Sequence, residues 1–269
     1  MTTARETALI TGASSGIGRA LAEVFAEHDY DLVVVARREE KLQELKAELE
    51  EECGVSVTVL AKDLSDVNAP QEIFEELQAQ NVTVDVLVNN AGLATVDNVH
   101  EADRQDVLNL VKVNVLALTD LTKLFVDGMV ARGSGRVLNI ASIVGFFPTP
   151  SFATYGASKA FVLSFTEALS QELRGTGVTA TAVCPGYTKT EMITDAVHQG
   201  GLESIDSLMP GVLQMDARTV AKEAYKKCIQ GRAVHVNGLH NYLATEWLRL
   251  QPRWLVRNAG GLISRVMSS

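Results

Sequence analysis

The sequence predicts an α/β fold of the doubly wound type: one mostly parallel, seven-stranded sheet with helices on both faces. Three observations point to it. Short apolar runs alternate with segments of helical period along the chain, the pattern of a parallel sheet covered on both sides. The first run passes straight into a glycine-rich turn that opens a helix. Polar and small residues fall just beyond the carboxyl ends of successive runs, where a sheet of this type gathers a ligand site.

Strands are expected at 6–11, 31–36, 55–60, 84–89, 136–141 and 178–184, with a short last one near 233–236. Most intervals between them are long enough for a crossover helix. The residues that follow the first six strands are Gly12, Arg37, Asp63, Asn90, Ser142 and Pro185, one composite set. A chain of 269 residues with 46% hydrophobic content can bury a large core, and no Pro/Gly/Ser-rich linker divides it, so residues 1–269 are read as one domain.

The turn after the first strand is Gly12-Ala13-Ser14-Ser15-Gly16-Ile17-Gly18. Gly12 permits the tight turn, Gly16 lets the backbone approach a pyrophosphate, and Gly18 allows the helix to pack closely on the strand. The helix N-terminus adds free N–H groups and a positive dipole, and Ser14 and Ser15 can add hydroxyl donors. The alternative is a plain strand-to-helix loop.

A second constellation is Thr154-Tyr155-Gly156-Ala157-Ser158-Lys159. If this segment is helical, as Ala160-Phe161-Val162-Leu163 after it suggests, Tyr155 and Lys159 share a face with Cβ atoms roughly 5–6 Å apart. An ammonium so close favours the phenolate and would bring the Tyr155 pKa down from about 10 toward working pH. A tyrosine tuned this way can exchange protons with a carbonyl or alcohol.

The glycine run, Asn90-Ala91-Gly92 after the fourth strand, Ser142 thirteen residues before Tyr155, and the Tyr-Lys pair together resemble the classical form of the short-chain dehydrogenase/reductase family, with its Rossmann-type fold. The resemblance spans about residues 5–190. It implies that Tyr155 is the acid/base, that Lys159 lowers its pKa and binds the nicotinamide ribose, and that Ser142 holds the substrate oxygen. Asn114 resembles the family's helix asparagine, which holds a water linking the lysine to solvent. Asp63 and Leu64 resemble its adenine-contacting pair, and Asn90, Ala91 and Gly92 the stretch beside the cofactor ribose. Pro185, Gly186, Thr188 and Thr190 resemble the segment that meets the nicotinamide, and Ile17 belongs to the conserved form of the glycine run in that family.

The end of the second strand chooses between cofactors. A carboxylate there would suit the ribose hydroxyl of NAD, whereas Arg37 and Arg38 suit a 2′-phosphate, Arg37 being nearer the strand end. NADP(H) is therefore expected, against the alternative that both arginines only open a solvated helix. The expected activity is hydride transfer between NADP(H) and a carbonyl or secondary alcohol, with a catalytically idle NADP(H) sensor or scaffold as the competing class. An epimerase or dehydratase of the family's extended branch fits less well, because 269 residues are few for that branch's sugar-nucleotide domain and the glycine spacing resembles the classical one.

Composition excludes several other classes. A net charge of −9 argues against a nucleic-acid partner. Cys53, Cys184 and Cys228 lack metal-like spacing and read as free thiols of a reducing cytoplasm, and the five histidines show no ligand spacing, so no metal is implied. No stretch reaches a membrane span. By the family resemblance, a homodimer or homotetramer is expected.

Two regions bear on substrate and partners. Residues 190–215 are apolar, with Met192, Ile193, Leu202, Ile205, Leu208, Met209, Val212, Leu213 and Met215; the resemblance makes them a substrate lid, and ordinary core packing accounts for part of the pattern. Phe146, Phe147, Pro148, Pro150 and Phe152, between Ser142 and Tyr155, are expected to line an apolar pocket. The C-terminal extension, 239–269, carries both tryptophans, Trp247 and Trp254, among Arg249, Arg253 and Arg257. It can pack on a neighbouring subunit, close over the substrate or make a weak peripheral membrane contact.

Overall fold

The computed structural model describes residues 5–96, 98–199 and 214–258. Its strands are β1 (Thr7–Thr11), β2 (Asp31–Ala36), β3 (Val57–Ala61), β4 (Val86–Asn89), β5 (Gly135–Ile140), β6 (Val178–Cys184) and β7 (Val234–Val236). All neighbours pair in parallel, in the order β3-β2-β1-β4-β5-β6-β7. Every expected strand forms, with ends displaced by at most two residues.

The helices are α1 (Gly16–Ala26), α2 (Glu39–Cys53), α3 (Ala69–Ala79), α4 (Arg104–Val111), α5 (Leu118–Arg132), α6 (Ala153–Glu172), α7 (Glu191–Gln199), α8 (Ala217–Ile229) and α9 (Leu239–Arg249). A π-helical turn, Lys112–Ala117, joins α4 to α5, and a 3₁₀ turn, Ile143–Phe146, follows β5.

Side chains along each strand alternate between two apolar layers. On one face Ala8, Ile10, Leu32, Val34, Val86 and Val88 meet Leu21, Val24 and Phe25 of α1, with Leu42 and Leu45 of α2 and Ala224 and Cys228 of α8. On the other, Leu9, Val33, Val35, Leu87 and Val137 meet Ile73 and Leu77 of α3, Leu121, Phe125 and Met129 of α5, and Leu169 of α6. These side chains are buried on both sides, which is why the central strands read as continuous Val/Ile/Leu runs.

Chain order reverses between β1 and β4, which are neighbours in the sheet. The loops after them diverge and leave a crevice at their carboxyl ends. Gly12 after β1 and Asn90 after β4 therefore stand side by side.

Candidate active site

The crevice is fastened by Thr11. Its hydroxyl accepts from the backbone N–H groups of Asn90 and Ala91, both at 3.0 Å, and donates to Val88 O. Asn90 Nδ2 returns a bond to Thr11 O at 2.9 Å. Gly12 has φ +68°, and a Cβ on Gly18 would lie 2.1 Å from Gly12 O, so α1 can start this close to β1 only with glycine there. The sequence reading passed over Thr11 because a strand-ending threonine has an ordinary explanation.

The turn fits a dinucleotide. Ser15 caps α1 with no side-chain hydrogen bond of its own, so its hydroxyl and the first N–H groups of the helix are available to an anion. Thr190 packs against Gly16, and its Oγ1 is buried without a partner. Such an orphaned oxygen at the lip of the glycine turn suits a ligand donor.

Arg37 is exposed and makes no side-chain bond among the described residues. Arg38 instead reaches the glycine turn, with Nη2 donating to Ser14 Oγ at 3.0 Å. Its Nη1 donates to Glu191 at 2.8 Å, and Lys41 Nζ donates to the other oxygen of the same carboxylate at 3.0 Å. The bonds from Lys41 and then Arg38 hold the Glu191 carboxyl at about 2. The sequence reading missed Lys41 and Glu191, since no local pattern relates residues 150 positions apart.

Asp63 Oδ1 accepts from Ser65 N at 2.9 Å and shapes the loop after β3, while Leu64 is buried against the sheet. Pro185 O accepts from Ile143 N, tying the loop after β6 to the 3₁₀ turn. Thr188 is buried, donates to Gly186 O and bridges to Met215. Residues 200–213 of the expected lid lie outside the described residues.

At the centre, Tyr155 and Lys159 occupy one face of α6, and both are buried. The Ser142 side chain lies beside the Tyr155 hydroxyl and acts to lower its pKa. Lys159 Nζ donates to Ile140 O at 2.8 Å and lies 5.7 Å from the centroid of the Tyr155 ring. Asn114, buried in the π-helical turn, accepts from Leu93 N and donates to Leu93 O and Ser158 Oγ. It fixes the loop after Gly92 to α6 one residue before Lys159. Single π turns of this kind recur at functional sites.

The electrostatics correct one expectation. Lys159 does not bring Tyr155 down: burial raises the phenol to about 12, and Ser142 only offsets part of that. Burial in turn lowers Lys159 to about 8. The ammonium faces the ring and Ile140 O, and loss of water at both groups outweighs their attraction.

The phenylalanine cluster divides: four of its five residues line an apolar groove as expected, but away from the catalytic groups. Phe152 packs near Tyr155, with Val96, Val144, Tyr187, Met192 and Ile193. Phe146, Phe147, Pro148 and Pro150 line a different groove of about 410 Å³ with Gly156, Ala157, Ala160 and Arg253, and none of Ser142, Tyr155 and Lys159 borders it. Residues 156, 157 and 160 occupy another side of α6 from 155 and 159, a distinction that a loop sequence does not carry.

Residues 6–200 match the family model for short chain dehydrogenases. The chain belongs to that family. As a short-chain dehydrogenase it is an oxidoreductase, and named relatives agree. It is 37% identical over 234 residues to sulfoacetaldehyde reductase 2 of Chromohalobacter salexigens, covering 86% of this chain and 91% of that one. Some other curated relatives are longer, and this short-chain dehydrogenase spans 61% and 60% of two of them. Among solved structures, the short-chain dehydrogenase from Sphingobium yanoikuyae in complex with NADPH matches with TM-score 0.80 and 34% identity, over 96% of this chain and 95% of its own. The bulky-bulky ketone specific alcohol dehydrogenase from Comamonas testosteroni matches with TM-score 0.77 and 30% identity, over 92% and 93%.

Proposed function

We propose that this protein is an NADP(H)-dependent carbonyl reductase acting on bulky apolar or amphipathic ketones or aldehydes. The observation that carries the reading is the buried Tyr155–Lys159 pair on one face of α6, with Lys159 Nζ 5.7 Å from the Tyr155 ring centroid, Ser142 beside the hydroxyl and apolar side chains around the phenol. NADP(H) is the cofactor, in keeping with the Sphingobium yanoikuyae structure and with the cations beside the glycine turn. When bound, the cofactor supplies or accepts the hydride.

The protein's own groups manage the oxygen and its proton. Ser142 and Tyr155 present two hydroxyls that can share a substrate oxygen. A phenol held at about 12 stays protonated at neutral pH and is positioned to donate to a developing alkoxide, which favours the reductive direction. Lys159 binds the ribose and Asn114 keeps α6 in register with the cofactor loop. Gly12, Ser14, Ser15, Gly16 and Thr190 surround the phosphates, and Arg38 with Lys41 takes the 2′-phosphate.

Val96, Phe152, Tyr187, Met192 and Ile193 favour an apolar substrate, as does the Comamonas testosteroni relative's name; the Chromohalobacter salexigens relative is named for a small anionic aldehyde. The reductase works as a homodimer or homotetramer, for which exposed Leu116, Val130 and Phe161 supply apolar surface. The test is NADPH oxidation against ketones and aldehydes of graded length and polarity. Turnover that rises with apolar length supports the proposal; turnover of small anionic aldehydes alone overturns the substrate class, and none at all favours an idle NADP(H)-binding protein.

A further inference from the structure

Helix α9 is amphipathic the wrong way round for a core helix. A surface helix normally turns its apolar stripe inward. Here the buried side chains are Asn241 and Thr245, and Asn241 Nδ2 donates to Asn237 O at 2.8 Å, close against Gly186. Two residues on, about 200° around the helix, Leu243 and Trp247 face out. Leu239 and Leu250 extend the same stripe and are 74% and 83% exposed. Nothing described covers this stripe, and Trp254, in the helical turn over 253–258 that follows, is 60% exposed as well.

The charge around this face says what could cover it. Residues 239–258 carry Arg249, Arg253 and Arg257 against Glu246 alone, three minus one giving +2, within a chain of net −9. All three arginines are exposed, and Glu246 is already bonded to Arg249. A two-fold pairing of this face with a second copy would bring like charges together. Anionic lipid head groups would instead complement the net positive charge, and exposed tryptophan and leucine beside arginine is the composition of a helix that lies in a bilayer interface. No helix among the described residues is long and apolar enough to cross a membrane.

We infer that α9 and the turn after it form a monotopic docking surface for an anionic membrane. Arg249 lies over the Phe146 ring, and Arg253 lines the groove with Phe147 and Pro148, so the docked face adjoins the segment between Ser142 and Tyr155.

The chain's two tryptophans are both exposed in this segment, so intrinsic emission reports its burial. Full-length protein should co-sediment with phosphatidylcholine–phosphatidylglycerol vesicles, with a blue-shifted emission, and do neither with phosphatidylcholine alone. Leu243→Asp should abolish both while keeping turnover of a water-soluble ketone. Each of Arg249→Gln, Arg253→Gln and Arg257→Gln should weaken partitioning about fivefold. No emission shift on anionic vesicles overturns the inference. So does a halving of the solution mass by Leu243→Asp with vesicle binding unchanged, which would make the face an interface between copies.

Discussion

Glu191, the first residue of α7, holds Arg38 at 2.8 Å across the glycine turn, and the same carboxylate holds Lys41 at 3.0 Å. An internal carboxylate thus occupies the two cations assigned to the 2′-phosphate, and it also ties the start of the lid segment to α2. If Arg38 and Lys41 take the 2′-phosphate as proposed, cofactor phosphate and Glu191 compete for one site. All three side chains are roughly half exposed, so water and salt weaken the bridge and a phosphate can displace it.

Removing the competitor should therefore tighten NADPH. Glu191→Gln is expected to lower the NADPH Kd several-fold and leave NADH unchanged. Arg38→Ala should weaken NADPH by about ten- to a hundredfold, the loss of a charge-assisted phosphate bond, and Arg37→Ala by much less. Calorimetric titration of both cofactors decides it: a larger loss in Arg37→Ala than in Arg38→Ala would return the role to the residue nearer the strand.

Much of this was legible from sequence for a plain reason. β-Strands buried on both faces must be apolar throughout, and a dinucleotide turn needs glycine at fixed offsets, so Thr7–Thr11 and Gly12–Gly18 could be read locally. Tyr155 and Lys159 follow from one helical period. The Glu191 bridge depends on tertiary distance, and the Phe146–Pro150 groove on which side of α6 the loop takes, neither of which leaves a local trace. The Tyr155 pKa went astray because a charge four residues away is visible in sequence and burial is not.

Thr11 tests the crevice itself. Thr11→Val keeps shape and β propensity but leaves the part-buried N–H groups of Asn90 and Ala91 without their acceptor. The expected cost is about 1–3 kcal/mol in urea unfolding, with weaker NADPH binding. A variant as stable as the parent, with unchanged cofactor affinity, would mean that Asn90 alone holds the two loops.

Tyr155→Phe removes the hydroxyl beside Ser142 and little else. Turnover should fall about 100- to 10,000-fold with NADPH affinity nearly unchanged. Residual activity within about tenfold of the parent would remove Tyr155 from the acid/base role.

Lys159 allows a test in which function and stability pull apart. Its folded pKa, about 8, lies below the ordinary 10.5 because the ammonium is buried. Between those values the unfolded chain binds more protons than the folded one, so this group makes stability rise with pH from about 8 to about 10.5. Below pH 8 the burial penalty on the charge is fully present. Lys159→Met removes it, at the expense of the bond to Ile140 O, and keeps the chain length. The variant should gain stability at pH 7, on the order of 1 kcal/mol, and lose that advantage by pH 10, while turnover and NADPH affinity both collapse. Urea unfolding of both proteins at the two pH values measures this. An advantage that does not change with pH would show that packing rather than charge sets the difference, and loss of stability at pH 7 would show that the bond to Ile140 outweighs burial.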